Sequence, residues 1–133
     1  MPVNISAYQS IQATLTDQQV TLVAVSKTKP QEELMELYAL GHRAFGENYV
    51  QEGVEKIQQL AKLRPWLEWH FIGPLQSNKT REVAEHFDWV HSIDRLKIAE
   101  RLSSQRGEFP ELAELQVCVQ INVSEEESKS GIS

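Results

Sequence analysis

The alternation of apolar strands with helical segments is the feature that most constrains how this chain can fold. Strands are predicted at 21–26, 43–46, 69–73, 89–93 and 115–123. Helices are predicted between and before them, at 4–14, 30–41, 47–63, 77–86 and 94–105. Strands that alternate with helices form βαβ units, and such units build a parallel sheet. The chain is therefore predicted to be an α/β protein.

The fifth strand distinguishes between an open doubly wound sheet and a (β/α)₈ TIM-type barrel. One of its faces carries Leu115, Val117, Val119, Ile121 and Val123. The other face carries Gln116, Cys118, Gln120 and Asn122. Both faces of an open doubly wound sheet are covered by helices and are apolar throughout. A polar second face suits the lumen of a barrel, so the pattern favours the barrel.

The length of the chain covers only part of such a barrel. A (β/α)₈ barrel takes about 250 residues and rarely fewer than about 200, whereas this chain has 133. We therefore expect about the first five β/α units, with residues 1–133 as the N-terminal part of a single barrel domain. The chain looks truncated in the loop after its fifth strand. Its last strand is expected to have an unpaired edge.

Composition excludes several classes of function. The net charge is −6 with no stripe of Lys and Arg, which argues against nucleic acid or an anionic membrane as the main partner. No secretory signal and no apolar segment long enough to span a membrane is present, so a cytoplasmic protein is expected. A single cysteine, Cys118, cannot form an internal disulfide, and the four histidines lack metal-ligand spacing. No metal site is predicted.

Lys27 is the residue most suggestive of chemistry. It follows the apolar strand at 21–26 and shares a strand face with Val23 and Val25. An amine at the rim of a core can be partly desolvated, lose its proton more readily and attack a carbonyl carbon. The alternative is a lysine that only marks where the strand meets water.

Five segments, in order, carry a resemblance to a known family. They are LVAVSKTKP (22–30), FGENYVQE (45–52), WHFIGPLQSNK (69–79), HSIDR (91–95) and QINVSEEESKSGI (120–132). The chain resembles the pyridoxal-phosphate (PLP) homeostasis proteins, the YggS/PROSC-type PLP-binding barrels related to the N-terminal domain of alanine racemase. The resemblance implies a single-domain PLP barrel in which Lys27, at the end of the first strand, holds PLP as a Schiff base.

The same resemblance implies further cofactor-binding residues. Asn48 is expected beside the cofactor ring, although it can equally be the N-cap of a helix at 49–63. His70 is expected to line the pocket, with a hydrogen-bonded core histidine as the alternative, and Ile72 shares its strand face. Residues 73–79 form either the pocket rim or a tight turn. Lys129 is interpreted as a solvated loop lysine.

The implied function is that of a PLP carrier or buffer in intracellular PLP homeostasis, without catalytic turnover and with no catalytic residue assigned. The expected partners are PLP and apo-enzymes that use it, and a monomer is expected for the full-length protein. In barrels, the phosphate is usually held by loops after strands seven and eight, which would lie beyond Ser133. Three alternatives stay open: a PLP-dependent racemase-like enzyme, a cofactor-free Schiff-base aldolase using Lys27, and a fragment whose pocket is too open to function.

Overall fold

The predicted alternation of strands and helices is confirmed. The structure, a computed structural model, describes residues 3–122 and 131–132. Its longer elements, in chain order, are α1 (Ile5–Asp17), β1 (Ala24–Val25), α2 (Gln31–Ala39), β2 (Ala44–Glu47), α3 (Val50–Gln59), β3 (Glu68–Phe71), α4 (Thr80–His86), β4 (Trp89–Ile93), α5 (Leu96–Arg106) and β5 (Gln116–Val119). Two 3₁₀ helices, Ala61–Trp66 and Ser77–Lys79, precede β3 and α4 respectively.

The strands form one parallel sheet in which spatial order equals chain order, β1-β2-β3-β4-β5. Each strand pairs with the one that precedes it, after a connection that contains a helix. This is the order of consecutive strands in a (β/α)₈ barrel, so the predicted TIM-type architecture is confirmed for the units present. Within the described residues, no helix combines the length and apolar character needed to cross a membrane.

The strand register defines two faces of the sheet. One row of aligned residues runs through Val25, Gly46, His70, Trp89 and Gln116. We call the face that carries this row the lumen face. A second row, through Glu47, Phe71, Val90 and Val117, lies on the opposite face, which packs against the helices. We call this the helix face.

The core lies between the helix face and the helices. Its most deeply buried members are Phe45, Trp69, Phe71, Val83, Ala84, Phe87, Val90 and Ile98. The Phe71 and Phe87 rings meet edge to face with their centroids 5.4 Å apart. Burial of each large apolar side chain contributes about 1.5–3 kcal/mol, so this layer is the main source of stability in the described part.

The predicted faces of the fifth strand are confirmed by its register. Val117 aligns with Val90, and Val119 aligns with Ile93, a member of the core. The strand is shorter than predicted, at Gln116–Val119 rather than 115–123, and Val123 lies outside the described residues. Among the described residues, β5 pairs with β4 alone, and Val119 is 55% exposed although it belongs to the helix face.

Several predicted boundaries were wrong for local reasons. The first strand covers only Ala24–Val25 instead of 21–26. α3 ends at Gln59 rather than at 63, and the 3₁₀ helix that follows contains Pro65, which has no N–H to donate and cannot extend an α-helix. α5 begins at Leu96, after Arg95, rather than at 94.

Candidate functional site

Lys27 lies just past the carboxyl end of β1, where a barrel carries its functional groups. Ser26 is buried, but Lys27 itself is exposed. Of the two alternatives for Lys27, its exposure agrees with a lysine at the point where the strand meets water. The reason is the open lumen face beside it, where Val25 is 54% exposed.

The lumen face next to Lys27 is shaped by a glycine. A Cβ atom added to Gly46 would lie 3.2 Å from both the Ile72 Cδ1 atom and the Val23 Cγ1 atom. These two apolar side chains therefore occupy the lumen face on either side of Gly46. A larger residue in β2 would fill the space between them. Ile72 and Val23, which precedes Lys27 on the same strand face, therefore approach each other over Gly46 of β2.

Asn48 lies at the contact between the loops that follow β2 and β3. A Cβ atom added to Gly73 would lie 2.2 Å from the Asn48 carbonyl oxygen, so only glycine fits at Gly73. The half-buried Asn48 lines a cleft together with Pro74, Gln76 and Lys79. Asn48 is not a helix N-cap, because α3 begins after Tyr49 and has no side-chain cap. Residues 73–79 therefore adjoin Asn48 at the carboxyl edge of the sheet.

His70 is buried in a hydrogen-bonded chain of side chains on the lumen face. Its Nε2 atom lies 2.6 Å from Glu68 Oε1, and its Nδ1 atom lies 2.8 Å from His91 Nε2. The Trp89 ring lies parallel to the His70 ring, with centroids 5.5 Å apart. A carboxylate only accepts, so Nε2 donates to Glu68, and Nδ1 of a neutral His70 ring then accepts a hydrogen bond from His91 Nε2–H.

His91 belongs to this row of hydrogen-bonded side chains, and the sequence analysis did not identify it as a site residue. Burial lowers its pKa from the usual 6.5, and the neighbouring His70 lowers it further. A depressed pKa favours the neutral ring at neutral pH, so His91 can donate from Nε2 while it stays uncharged. Its position in β4, two residues after Trp89, was the available signal, since that spacing places it on the same strand face.

A buried ion-pair network lies on the other side of Lys27. The Lys56 side chain, in α3, is only 6% exposed. Its ammonium nitrogen donates to the Ser26 carbonyl oxygen and to Glu47 Oε2, the latter at 3.0 Å, and it lies 2.8 Å from Glu52 Oε2. An ammonium group has three N–H donors, and these three acceptors match them.

Glu47 occupies the centre of this network. Its carboxylate is fully buried and accepts from the Ser26 hydroxyl as well as from Lys56. The other oxygen, Oε1, has no hydrogen-bond partner among the described residues. Burial raises the pKa of Glu47, although the hydrogen bonds from Ser26 and Lys56 oppose that shift. Glu47 therefore retains a proton to a higher pH than an exposed glutamate does.

Thr28, on the far side of Lys27, has a strained backbone. Its φ of 61° lies in the left-handed region, which costs a β-branched residue on the order of 1–3 kcal/mol. The Thr28 N–H donates to Glu52 Oε2 at 2.6 Å, and this bond helps to hold the conformation. The sequence did not reveal this network. The one sequence feature that could have indicated the network is Lys56, a lysine between the apolar Val54 and Ile57 on the buried side of α3.

The lumen face thus carries groups that can hold a flat heteroaromatic aldehyde. Lys27 offers an amine at the end of the strand whose Val23 lies close to Ile72. Asn48 instead lines the cleft with Pro74, Gln76 and Lys79, and both ring nitrogens of His70 are hydrogen-bonded to Glu68 and His91. Val23 and Ile72 close over Gly46, where even an added Cβ would lie 3.2 Å from a carbon of each, so this part of the face is an apolar surface. An amine next to an apolar surface suits the aldehyde and the ring of PLP. Within the part of the chain that the structure describes, no cluster of His, Cys, Asp and Glu is arranged to hold a metal ion.

The chain is similar to curated proteins of several bacteria. It is 61% identical over 120 residues to the pyridoxal phosphate homeostasis protein of Vibrio alginolyticus, an alignment that covers 89% of this chain and 51% of that protein. It is 61% identical over 116 residues to the protein of the same name from Escherichia coli strain K12, with 86% of this chain and 49% of that protein covered. The chain spans about half the length of the curated relatives it matches. No protein-family model matches it.

Solved structures give the same assignment of fold. The chain superimposes on PipY of Synechococcus elongatus without PLP, with a TM-score of 0.81 and 43% identity, covering 92% of this chain and 57% of PipY. Against PipY with PLP bound, the TM-score is 0.79 and the identity 42%, covering 92% of this chain and 56% of PipY. The five-stranded sheet described above is thus an arrangement found within a longer solved chain.

Proposed function

Because the chain belongs to the pyridoxal phosphate homeostasis protein family, we propose that it binds PLP and serves intracellular PLP homeostasis. One observation carries this proposal: a relative 42% identical to the chain has been solved with PLP bound and shares its fold with a TM-score of 0.79. The names of the curated relatives, at about 60% identity, point the same way. In our proposal, residues 1–133 supply the first five β/α units of one barrel domain.

Lys27 is the proposed covalent anchor. When bound, PLP supplies an aldehyde that condenses reversibly with an unprotonated amine. Lys27 presents its amine from the carboxyl end of β1, beyond the lumen-face residue Val25. Asn48 would contact the ring from the next strand end, and Ile72 would provide an apolar surface for it. His70, fixed by Glu68 and His91, would present its ring without freedom to turn.

Holding PLP without turnover is the proposed activity. A PLP enzyme needs an acid or base beside the reacting carbon of its amino-acid substrate. On the described lumen face, His70 is hydrogen-bonded to both Glu68 and His91, so both of its ring nitrogens are engaged within the protein. The relatives are named as homeostasis proteins rather than as enzymes. In this proposal the protein acts in the cytoplasm as a monomer and passes PLP to apo-enzymes.

Reductive trapping tests the proposal directly. The protein is incubated with PLP, reduced with borohydride and digested, and the pyridoxyl group is located by peptide mass spectrometry. We expect the label on Lys27, and we expect Lys27→Ala to remove both the label and the visible absorbance of bound PLP. Lys29→Ala is the matched control, since Lys29 is an exposed lysine two residues away, and it should retain both signals.

Two results would contradict the proposal. A label found mainly on Lys29 or Lys79 would show that Lys27 is not the anchor. Conversion of an L- or D-amino acid by the PLP-loaded protein, lost in Lys27→Ala, would show that the protein is an enzyme rather than a carrier.

A further inference from the structure

We propose that the Lys56–Glu52 ion pair of α3 is a positioning device that fixes the backbone of Lys27 and so aims its amine at the lumen. This inference rests on the proposed function, because it concerns the residue that would anchor PLP. Both residues belong to α3, which packs against the helix face. Both are positioning residues, and they act through the two peptide groups that flank Lys27.

The hydrogen bonds of the pair are directed at these two peptide groups. Lys56 donates to the Ser26 carbonyl, which belongs to the peptide that joins Ser26 to Lys27. Glu52 accepts from the Thr28 N–H, which belongs to the peptide that joins Lys27 to Thr28. The Lys56 nitrogen and Glu52 Oε2 are 2.8 Å apart. One ion pair on one helix turn thus holds the backbone on both sides of Lys27.

The surroundings of Lys27 show why such a clamp is needed. The Lys27 side chain is exposed and cannot be oriented by packing. β1 ends at Val25, so the strand ladder does not hold the peptides on either side of Lys27. Apart from the ion pair, these peptides have only local turn bonds within the described residues: the Lys29 N–H donates to the Ser26 carbonyl at 3.1 Å, and the Thr28 hydroxyl donates to the Lys27 carbonyl at 2.6 Å. Thr28 has a positive φ, a conformation that persists only when neighbouring groups enforce it. Glu52 is the side chain bonded to the N–H of that strained residue.

The network is better explained by positioning than by stability alone. Replacing buried ion pairs with apolar residues of similar volume is often neutral or stabilising, so a buried pair is weak support for a purely structural role. In this network the charged groups hold main-chain atoms next to Lys27. Glu47 completes it by accepting from the Ser26 hydroxyl and from Lys56. The hydrogen bonds among Ser26, Glu47 and Lys56 thereby connect the end of β1 to α3.

Substitutions at Glu52 test the clamp without touching the lumen face. Glu52→Ala removes the acceptor of the Thr28 N–H, whereas Glu52→Gln retains a carbonyl oxygen that can accept it. Glu55→Ala is the matched control, because Glu55 is an exposed glutamate in the same helix whose side chain bonds to Gln51. Two readouts are measured: the ratio of pyridoxyl label on Lys27 to that on Lys29 after brief exposure to PLP and borohydride, and hydrogen exchange of the Lys27 and Thr28 amides.

We expect Glu52→Ala to lower the labelling ratio roughly tenfold, since small displacements of a reacting group have effects of this size or larger. It should also speed exchange at Thr28. Glu52→Gln should restore both, and Glu55→Ala should leave both unchanged. A purely structural role would change the melting temperature but leave the ratio in the folded protein unaltered. The ratio therefore distinguishes positioning from stability.

The proposal is overturned if Glu52→Ala frees the Thr28 amide without lowering the labelling ratio, or if Glu55→Ala lowers it equally. Failure of the proposed function gives a different result, namely no selective label on Lys27 in the unaltered protein. The clamp is then judged on exchange alone. Faster exchange at Thr28 in Glu52→Ala, with β2 unaffected, supports it, and unchanged exchange overturns it.

Discussion

Replacing Gly73 by alanine tests whether the loops after β2 and β3 must touch for the candidate site to form. The added Cβ would lie 2.2 Å from the carbonyl oxygen of Asn48 and 2.9 Å from its carbonyl carbon. Both loops are held in place by other bonds. The Gly73 carbonyl accepts from the Ser92 hydroxyl at 2.6 Å, and the Ile72 N–H donates to the Glu47 carbonyl at 2.9 Å. Neither loop can yield without losing one of these contacts.

The expected cost follows from this geometry. Ordinary contacts at a Cβ begin near 3.4 Å, so the two backbones must separate by roughly 1 Å to relieve the overlap. Overpacking of this kind costs about 1–3 kcal/mol. We expect a value near 3 kcal/mol, because the clashing atoms belong to backbone and not to a flexible side chain. Asn48 would be displaced by a similar distance, and PLP labelling of Lys27 should fall as well.

A second glycine provides the matched control. Gly107 has a φ of −61° and its nearest atom to an added Cβ is the Ser104 carbonyl oxygen at 3.4 Å. Gly107→Ala should therefore be harmless, and it should even add about 0.4–1 kcal/mol by restricting the unfolded chain. Urea unfolding of both variants, with borohydride labelling of each, completes the experiment. Equal stability of the two variants, with unchanged label, would refute the close approach of the two loops.

Three further predictions concern burial and charge. Arg106→Met should destabilise the chain by about 3 kcal/mol in urea unfolding, because the buried guanidinium donates to three backbone carbonyls. Arg101 is an exposed arginine in the same helix, and Arg101→Met should cost less than about 0.5 kcal/mol. Burial lowers the pKa of His42 below 6.5. The contribution of this histidine to stability should therefore be fully present above pH 6.5 and decline as the pH falls towards the folded-state pKa. His42→Gln should flatten the decline, and an identical decline in this variant would show that His42 does not cause it. Val119→Asp should cost only about 1 kcal/mol, since Val119 is 55% exposed, whereas Val90→Asp should unfold the chain in the same assay.

The sequence was sufficient for the order of the elements and for the faces of the strands. Alternation of side chains in β5 predicted that Val117 lies on the helix face and Gln116 on the lumen face, and the register with β4 confirms this. This success has a physical reason. Side-chain direction in a strand depends only on whether a position is odd or even, so it is readable without knowledge of any neighbour.

Contacts between distant residues were not readable in the same way. The hydrogen bond between His70 and His91 depends on the relative register of β3 and β4, and the bonds from Lys56 to Ser26 depend on how α3 packs on β1. Periodicity within one segment does not fix either quantity. The exposure of Lys27 was not readable from the sequence either, because a residue at a strand end is buried or not according to what covers the lumen face.

The brevity of β1 links the fold to the candidate site. Only Ala24 and Val25 pair with β2, so the sheet by itself cannot fix the direction of a side chain two residues beyond Val25. Helix α3 supplies what the strand lacks, because Lys56 and Glu52 reach the peptides on either side of Lys27. The helix face, usually a source of stability alone, thus contributes to the geometry of the lumen face. Changes in α3 should therefore alter the reactivity of Lys27 even though no residue of α3 lies beside it on the lumen face.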